Sequence, residues 1–191
     1  MRLGIFGGTF DPLHVGHLIV ADDVGAALHL DRVLFVPTGT HPFKGAQVEA
    51  PAEFRLQMIR AAIADSERFG VDEREVHRSE PSYTIDTILE LQSESGGVEL
   101  FLLVGADILG EIHRWHRIEE IADHAQIVVM SRAEANVVSS SVKLDLLRVE
   151  VTHVAVSSSG IRERVRSGRP FRYLVPDPVY QIILRHSLYR D

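Results

Sequence analysis

The chain has 191 residues, 45% hydrophobic and 25% charged, the balance of a globular protein with one sizeable core. Twenty lysines and arginines against 27 aspartates and glutamates leave a formal charge of −7, which argues against a general nucleic-acid binder and requires any anion site to gather its positive charge locally. There is no cysteine, so disulfides and thiol catalysis are excluded. No apolar stretch reaches the length of a membrane span, and the first residues run straight into a strand with no leader pattern, so the expected location is the cytoplasm.

The opening run Leu3-Gly4-Ile5-Phe6 reads as a strand that ends in Gly7-Gly8. Asp11-Pro12 biases the chain toward a turn, and Val15 to His29 reads as a helix with Val20, Val24, Ala27 and Leu28 as its inner stripe. Strand, glycine turn and helix together present backbone N–H groups and a helix N-terminus, an arrangement suited to an anion. His14 and His17 stand three apart at the start of this helix, on one face, and Gly16 between them leaves room for a flat group. Taken alone, Gly-Gly after an apolar run is an ordinary turn, and paired helical histidines are surface residues or share a metal. No third ligand accompanies them, so the protein-held metal is the weaker reading. The glycine triplet of dinucleotide oxidoreductases and the lysine of a P-loop are both missing.

Arg32 to Pro37 is a second strand, apolar after its first residue, as a parallel strand covered on both faces should be. A loop from Thr38 to Pro51 carries Lys44, and Glu53 to Ala64 is a helix with Leu56, Ile59 and Ile63 inward. Gly70 to His77 reads as a short strand ended by Pro81, and Thr84 as the N-cap of a helix to about Gln92. Glu99 to Val104 is another apolar strand closed by Gly105; a helical region spans Ile108 to Ala122, and Gln126 to Met130 is the next strand. Asn136 to Asp145 is a polar loop, Arg148 to Val156 the last strand, Gly160 to Ser167 a helix, and Pro176-Asp177-Pro178 starts a terminal helix to about Arg185. The alternation predicts an α/β fold: a Rossmann-like, doubly wound parallel sheet with helices on both faces, one domain over residues 1–191 with a small helical C-terminal part. Ligands of such sheets bind beyond the carboxyl ends of the strands. His14, His17, Lys44, Gly105, Asp107 and Ser157 to Arg162 all follow strands.

Ser157-Ser158-Ser159-Gly160-Ile161-Arg162 puts three hydroxyls and an arginine at a helix start. One hydroxyl suffices for a cap, and arginine suits bidentate phosphate binding. Arg55, on the following helix, is a weaker candidate for positive charge at the site. Read alone, Trp115 is core, Asp107 a cap or turn, and Arg55 a partner in an ion pair.

Gly7-Gly8-Thr9-Phe10-Asp11-Pro12-Leu13-His14-Val15-Gly16-His17 resembles the signature of the nucleotidyltransferase superfamily of adenylyl- and cytidylyltransferases. Val156-Ser157-Ser158-Ser159-Gly160-Ile161-Arg162 resembles the serine-rich motif of its adenylyltransferases. Pro81-Ser82-Tyr83-Thr84, Val104-Gly105-Ala106-Asp107 with Trp115, and Tyr173-Leu174-Val175-Pro176 with Leu188-Tyr189 resemble the bacterial nicotinate-nucleotide adenylyltransferases. The resemblance implies adenylyl transfer from ATP to nicotinate mononucleotide, with magnesium arriving on the ATP. It implies a catalytic set of His14, His17 and Arg162, with the histidines on the α and β phosphates and backbone donors from Gly7, Gly8, Thr9 and Phe10. Ser157, Ser158, Ser159, Arg162 and Lys44 would hold the outer phosphates, Gly16 would lie against the nucleotide, and Gly105 and Asp107 would meet the adenosine half. Gly8, Thr9, Lys44, Tyr83, Thr84, Trp115 and His116 would line the pyridine nucleotide, with Trp115 on the ring and the Thr84 and His116 N–H groups on its carboxylate. One position departs: Phe43 stands where the family places a histidine before Lys44. A phosphopantetheine adenylyltransferase carries threonine in place of His14 and lacks the Tyr83 and Trp115 stretches. A non-catalytic nucleotide sensor need not keep His14, His17 and Arg162. No nucleic-acid or membrane partner is expected, and a homo-oligomer is compatible with the sequence.

Overall fold

The computed structural model describes residues 1–39, 48–94, 96–131 and 144–190. Its strands are β1 (Arg2–Gly8), β2 (Arg32–Pro37), β3 (Phe69–Val71), β4 (Glu99–Gly105), β5 (Gln126–Ser131) and β6 (Leu146–Glu150). Its helices are α1 (Val15–Ala27), α2 (Ala52–Ile63), α3 (Arg74–His77), α4 (Thr84–Glu94), α5 (Ile118–His124), α6 (Ser158–Arg166) and α7 (Asp177–Arg185). All strand pairs are parallel, in the order β3-β2-β1-β4-β5-β6. The direction of winding switches between β1 and β4, so a crevice opens beyond their carboxyl ends. Gly8 and Gly105 deliver the chain into it. No described helix is long and apolar enough to cross a membrane.

Successive strand residues point to opposite faces, and the chain fills both. Leu3, Ile5, Leu100, Leu102, Val104, Ile127 and Val129 join Ile85, Ile88, Ile118 and Ile121 in one core under α4 and α5. Phe6, Val33, Phe35, Phe101, Leu103, Val128 and Met130 join Ala21, Val24, Ile59 and Ile63 in a second, under α1 and α2. Each such side chain contributes roughly 1.5–3 kcal/mol by leaving water. A third cluster gathers Met58 of α2 with Ile161, Val165, Val179, Ile182, Ile183, Leu188 and Tyr189. It seats α6, α7 and the tail against α2, and so against the end of β1.

Four sequence expectations change. The strand expected over Gly70 to His77 stops at Val71, and Arg74–His77 is helical. Asp72 explains the break: its carboxylate accepts the Arg74 N–H at 3.0 Å and so closes a turn at the sheet edge. The last strand ends at Glu150 rather than Val156, because β5 beside it stops at Ser131 and the Thr152 N–H instead reaches the Asp23 carboxylate at 2.7 Å. The helical region after β4 splits into 3₁₀ turns at Ala106–Gly110 and Ile112–Arg114 before α5, with Arg117 left-handed at φ 56°. In α1 the expected Val24 is buried and Val20 and Leu28 pack against the same core, but Ala27 is exposed and the most buried positions are Gly16, Ala21, Val24 and Gly25. That helix is apolar on nearly every side, so periodicity could not select the face; small residues did, by letting it lie close to the sheet. Residues 136–143 of the expected polar loop lie outside the described residues.

Candidate active site

Beyond β1 the chain turns on Phe10, whose φ of 49° is left-handed. Such a conformation costs a non-glycine residue on the order of 1–3 kcal/mol and persists only where its surroundings enforce it. Phe10 is buried, packed edge-on against Phe6 at 5.7 Å and Phe35 at 5.5 Å. Four carbonyls of the turn are engaged. The Thr38 N–H donates to Gly8 at 2.9 Å, Arg55 Nη1 to Thr9 at 2.8 Å, Arg162 Nη1 to Asp11 at 2.7 Å and Ser158 Oγ to Pro12 at 2.9 Å. In a planar trans peptide the N–H points opposite the carbonyl. With the Thr9 carbonyl drawn to Arg55, the Phe10 N–H faces away from the interior.

His14 takes the N-cap position of α1 with extended backbone, and its N–H donates to His17 Nδ1 at 3.1 Å. His17 Nδ1 is therefore an acceptor, which assigns the proton of the neutral ring to Nε2. The two imidazoles stack at 3.7 Å between centroids, tilted by 21°. Gly16 permits this: a Cβ there would come within 3.1 Å of the His14 ring. The space beside Gly16, expected to take a flat ligand group, is thus occupied by His14 itself. Phe10 and Phe6 stand edge-on to His17 at 5.1 and 6.1 Å. Burial lowers the His14 pKa to about 4; burial and then the neighbouring His14 push His17 well below its ordinary value. Both rings are neutral near pH 7 and offer N–H donors rather than fixed charge.

The start of α6 lies against this turn. Ser157 is its N-cap, accepting the Gly160 N–H at 3.2 Å, and its hydroxyl is 3.3 Å from that of Ser159. Ser158 and Arg162 make the two bonds to Pro12 and Asp11 already named. Arg162 also gives Nε to Glu49 Oε1 at 2.8 Å, and the same carboxylate meets Arg166. Burial opposes ionisation of Glu49, but the hydrogen bonds from Arg166 and Arg162 outweigh it and hold the pKa below the ordinary value. Motifs at opposite ends of the sequence thus form one hydrogen-bonded unit.

On the other side of the crevice, Asp107 is exposed just beyond β4, and its carboxylate folds over Gly105, where a Cβ would come within 2.3 Å. Tyr83 precedes α4 and accepts its first backbone bond, from the Asp86 N–H at 3.1 Å, so Tyr83 rather than Thr84 takes the half-in position. The Tyr83 and His116 rings face each other at 4.4 Å. Trp115 is half-buried against the core under α4 and α5. Lys44, with His41 and Phe43, lies outside the described residues.

Three further groups complete the frame, of which the sequence offered only Arg55, as a weaker candidate for positive charge at the site. Glu49 pairs with Arg162 and Arg166; Tyr189 donates its hydroxyl to the Asp11 carboxylate at 2.7 Å; Arg55, considered for an ion pair, is only 3% exposed and holds a carbonyl instead. No local pattern announces them, because each partner lies 46 to 178 residues away where it touches the turn or α6.

Comparison with known proteins agrees with this arrangement. The cytidylyltransferase-like family model matches residues 5–164. The chain is 44% identical to a probable nicotinate-nucleotide adenylyltransferase of Leifsonia xyli subsp. xyli over 191 residues, covering 100% of this chain and 94% of that one. It is 43% identical to a probable nicotinate-nucleotide adenylyltransferase of Roseiflexus sp., covering 98% of each. Among solved structures, the Plasmodium falciparum nicotinic acid mononucleotide adenylyltransferase, complexed with NaAD, superposes with a TM-score of 0.78 at 16% identity, covering 98% of this chain and 97% of that one. At that identity it shows the shared fold.

Proposed function

This chain belongs to the nicotinate-nucleotide adenylyltransferase family, within the cytidylyltransferase-like proteins, and from that membership and the braced crevice we infer its reaction. It transfers the adenylyl group of ATP to nicotinate mononucleotide, releasing pyrophosphate and forming nicotinate adenine dinucleotide, a step of NAD biosynthesis. The observation that carries the reading is the pair of bonds from Ser158 and Arg162 to the carbonyls of Pro12 and Asp11. They set two phosphate-binding segments side by side, as a triphosphate requires.

The nucleophile is a phosphate oxygen of the mononucleotide, already ionised near neutral pH. No protein base is needed, and the enzyme works by alignment and charge stabilisation. His14 and His17 donate to the α and β phosphates, joined by the backbone N–H groups of the Gly7 to Phe10 turn. Arg162 and the α6 N-terminus, capped by Ser157 and followed by Ser158 and Ser159, hold the outer phosphates, with Lys44 assisting. Magnesium would arrive with ATP as part of the substrate, where it would neutralise phosphate charge. Among the described residues no group of three or more histidine, aspartate or glutamate side chains is placed to bind it. Asp107 meets the ribose of the adenosine half. Trp115 carries the pyridine ring, and the N–H groups of Thr84 and His116 take its carboxylate.

The test is pyrophosphate release with ATP and magnesium, offering nicotinate mononucleotide, nicotinamide mononucleotide and phosphopantetheine in parallel. Preference for the first is expected. Activity with phosphopantetheine alone would overturn the pyridine half of the site; no release with any would leave a nucleotide sensor.

A further inference from the structure

Behind the signature turn, on the side that faces the interior, sit polar groups that phosphate binding does not call for. The Asp11 carboxylate is 1% exposed and accepts the Glu49 N–H at 2.7 Å, the Ala50 N–H at 3.1 Å and the Tyr189 hydroxyl at 2.7 Å. Arg55 gives Nη1 to the Thr9 carbonyl, and its Nε has no partner among the described residues. Tyr189 is buried and sits left-handed at φ 62°, a backbone strain held by its place in the α6–α7 cluster. Burial lowers the Arg55 pKa, while Asp11 counteracts that shift and Tyr189 adds to the counteraction.

A buried guanidinium and carboxylate are a poor route to stability, since apolar side chains of the same volume are often as good or better. The cation recorded beside the Asp11 carboxylate is Arg162, at 4.0 Å, while Arg55 bonds to the backbone; what these buried groups supply is direction. Arg55 fixes the Thr9 carbonyl and with it the Phe10 N–H on the opposite side of the same peptide. Tyr189 fixes Asp11, the residue between the strained Phe10 and the segment that carries His14. We propose that Arg55 and Tyr189 are positioning residues for adenylyl transfer, clamping the signature turn from behind so that its backbone donor and its two histidines meet the α-phosphate in register. The proposal rests on the adenylyl-transfer reading above. In-line phosphoryl chemistry is intolerant of displacement: a shift of about 1 Å costs roughly a hundredfold in rate.

The test compares kcat, both KM values and thermal midpoints of the wild type with those of Tyr189→Phe, Arg55→Lys, Arg55→Met and Leu188→Ala. Leu188 packs in the same cluster as Tyr189, so its truncation loosens the tail while leaving the hydroxyl bond to Asp11 in place. Tyr189→Phe is expected to lower kcat about tenfold with both KM values within about twofold, the mark of an interaction made in the transition state. Leu188→Ala is expected to lower the thermal midpoint with kcat unchanged at a permissive temperature. Arg55→Lys, which keeps one donor for Thr9, is expected to retain more kcat than Arg55→Met. Should Arg55→Met fail to fold, Tyr189→Phe decides the matter. A Tyr189→Phe enzyme with wild-type kcat, or a kcat that falls in step with the thermal midpoint across all variants, would overturn the positioning role alone. A wild type that releases no pyrophosphate would overturn the reaction and the positioning together.

Discussion

The two sides of the crevice are built differently. On the phosphate side, the carbonyls of Gly8, Thr9, Asp11 and Pro12 are each tied to a donor, and the two histidines are stacked and kept neutral. On the pyridine side, Tyr83 and Trp115 are half-buried, His116 is exposed, and the chain runs through two short 3₁₀ turns. On the proposed mechanism the first side is braced where charge would develop in the reaction. The second would depend on one flat ring and on backbone donors, which other side chains can frame as well. That mechanism would rest the chemistry on fixed geometry, and recognition of the base on contacts that tolerate adjustment.

The largest expected effect lies on the rigid side. His17→Ala removes a preorganised donor and should lower kcat by about a hundredfold or more, measured as pyrophosphate release at saturating substrates. An unchanged turnover would take His17 out of the mechanism and weaken the contrast. Next comes acid stability. His14 is neutral when folded, with its pKa lowered to about 4, and ordinary near 6.5 when unfolded. Between those values the unfolded chain binds the extra proton, so stability falls as pH drops from 6.5 toward 4, by on the order of 3 kcal/mol for this residue. Urea midpoints at pH 7 and pH 4.5 should therefore converge in His14→Asn relative to the wild type; an identical pH dependence would refute the assignment. On the adjustable side, Trp115→Ala should raise the KM for nicotinate mononucleotide about tenfold while leaving that for ATP near its original value. Equal changes in both would show that the two sides are not separable. The smallest effect is Ser158→Ala, which leaves the Pro12 carbonyl without its donor and should cost about 1 kcal/mol in urea unfolding.

Much of this was open to reading from the sequence, for physical reasons that differ by region. After their exposed first residues, Arg32 and Glu99, β2 and β4 are apolar because both faces are covered, and their limits are sharp. The edges were harder. At Asp72 a side chain outcompetes the sheet for a backbone N–H, and past Glu150 the neighbouring strand has already ended. Neither event leaves a period in the sequence. In the site, His14, His17, Ser158 and Arg162 stand in motifs whose proposed phosphate chemistry restricts the residue types at set spacing. Glu49 and Tyr189 carry no such signal, and Arg55 was legible only as a positive charge, since the partners of all three are chosen by the folded chain. That Arg162 braces the Asp11 carbonyl as well as facing the phosphate segment could not be read from its spacing either.

The bond between Tyr189 and Asp11 spans 178 residues, and those from Ser158 and Arg162 to the turn span 146 and 151. Closing such wide loops is entropically slow and comes late in folding. The signature turn therefore waits for almost the whole of the described chain before its clamps can close. The segment of β1 and α1 alone carries His14 and His17 without the bonds that fix the turn, so on the proposed mechanism activity would arrive with closure of the whole fold rather than by degrees.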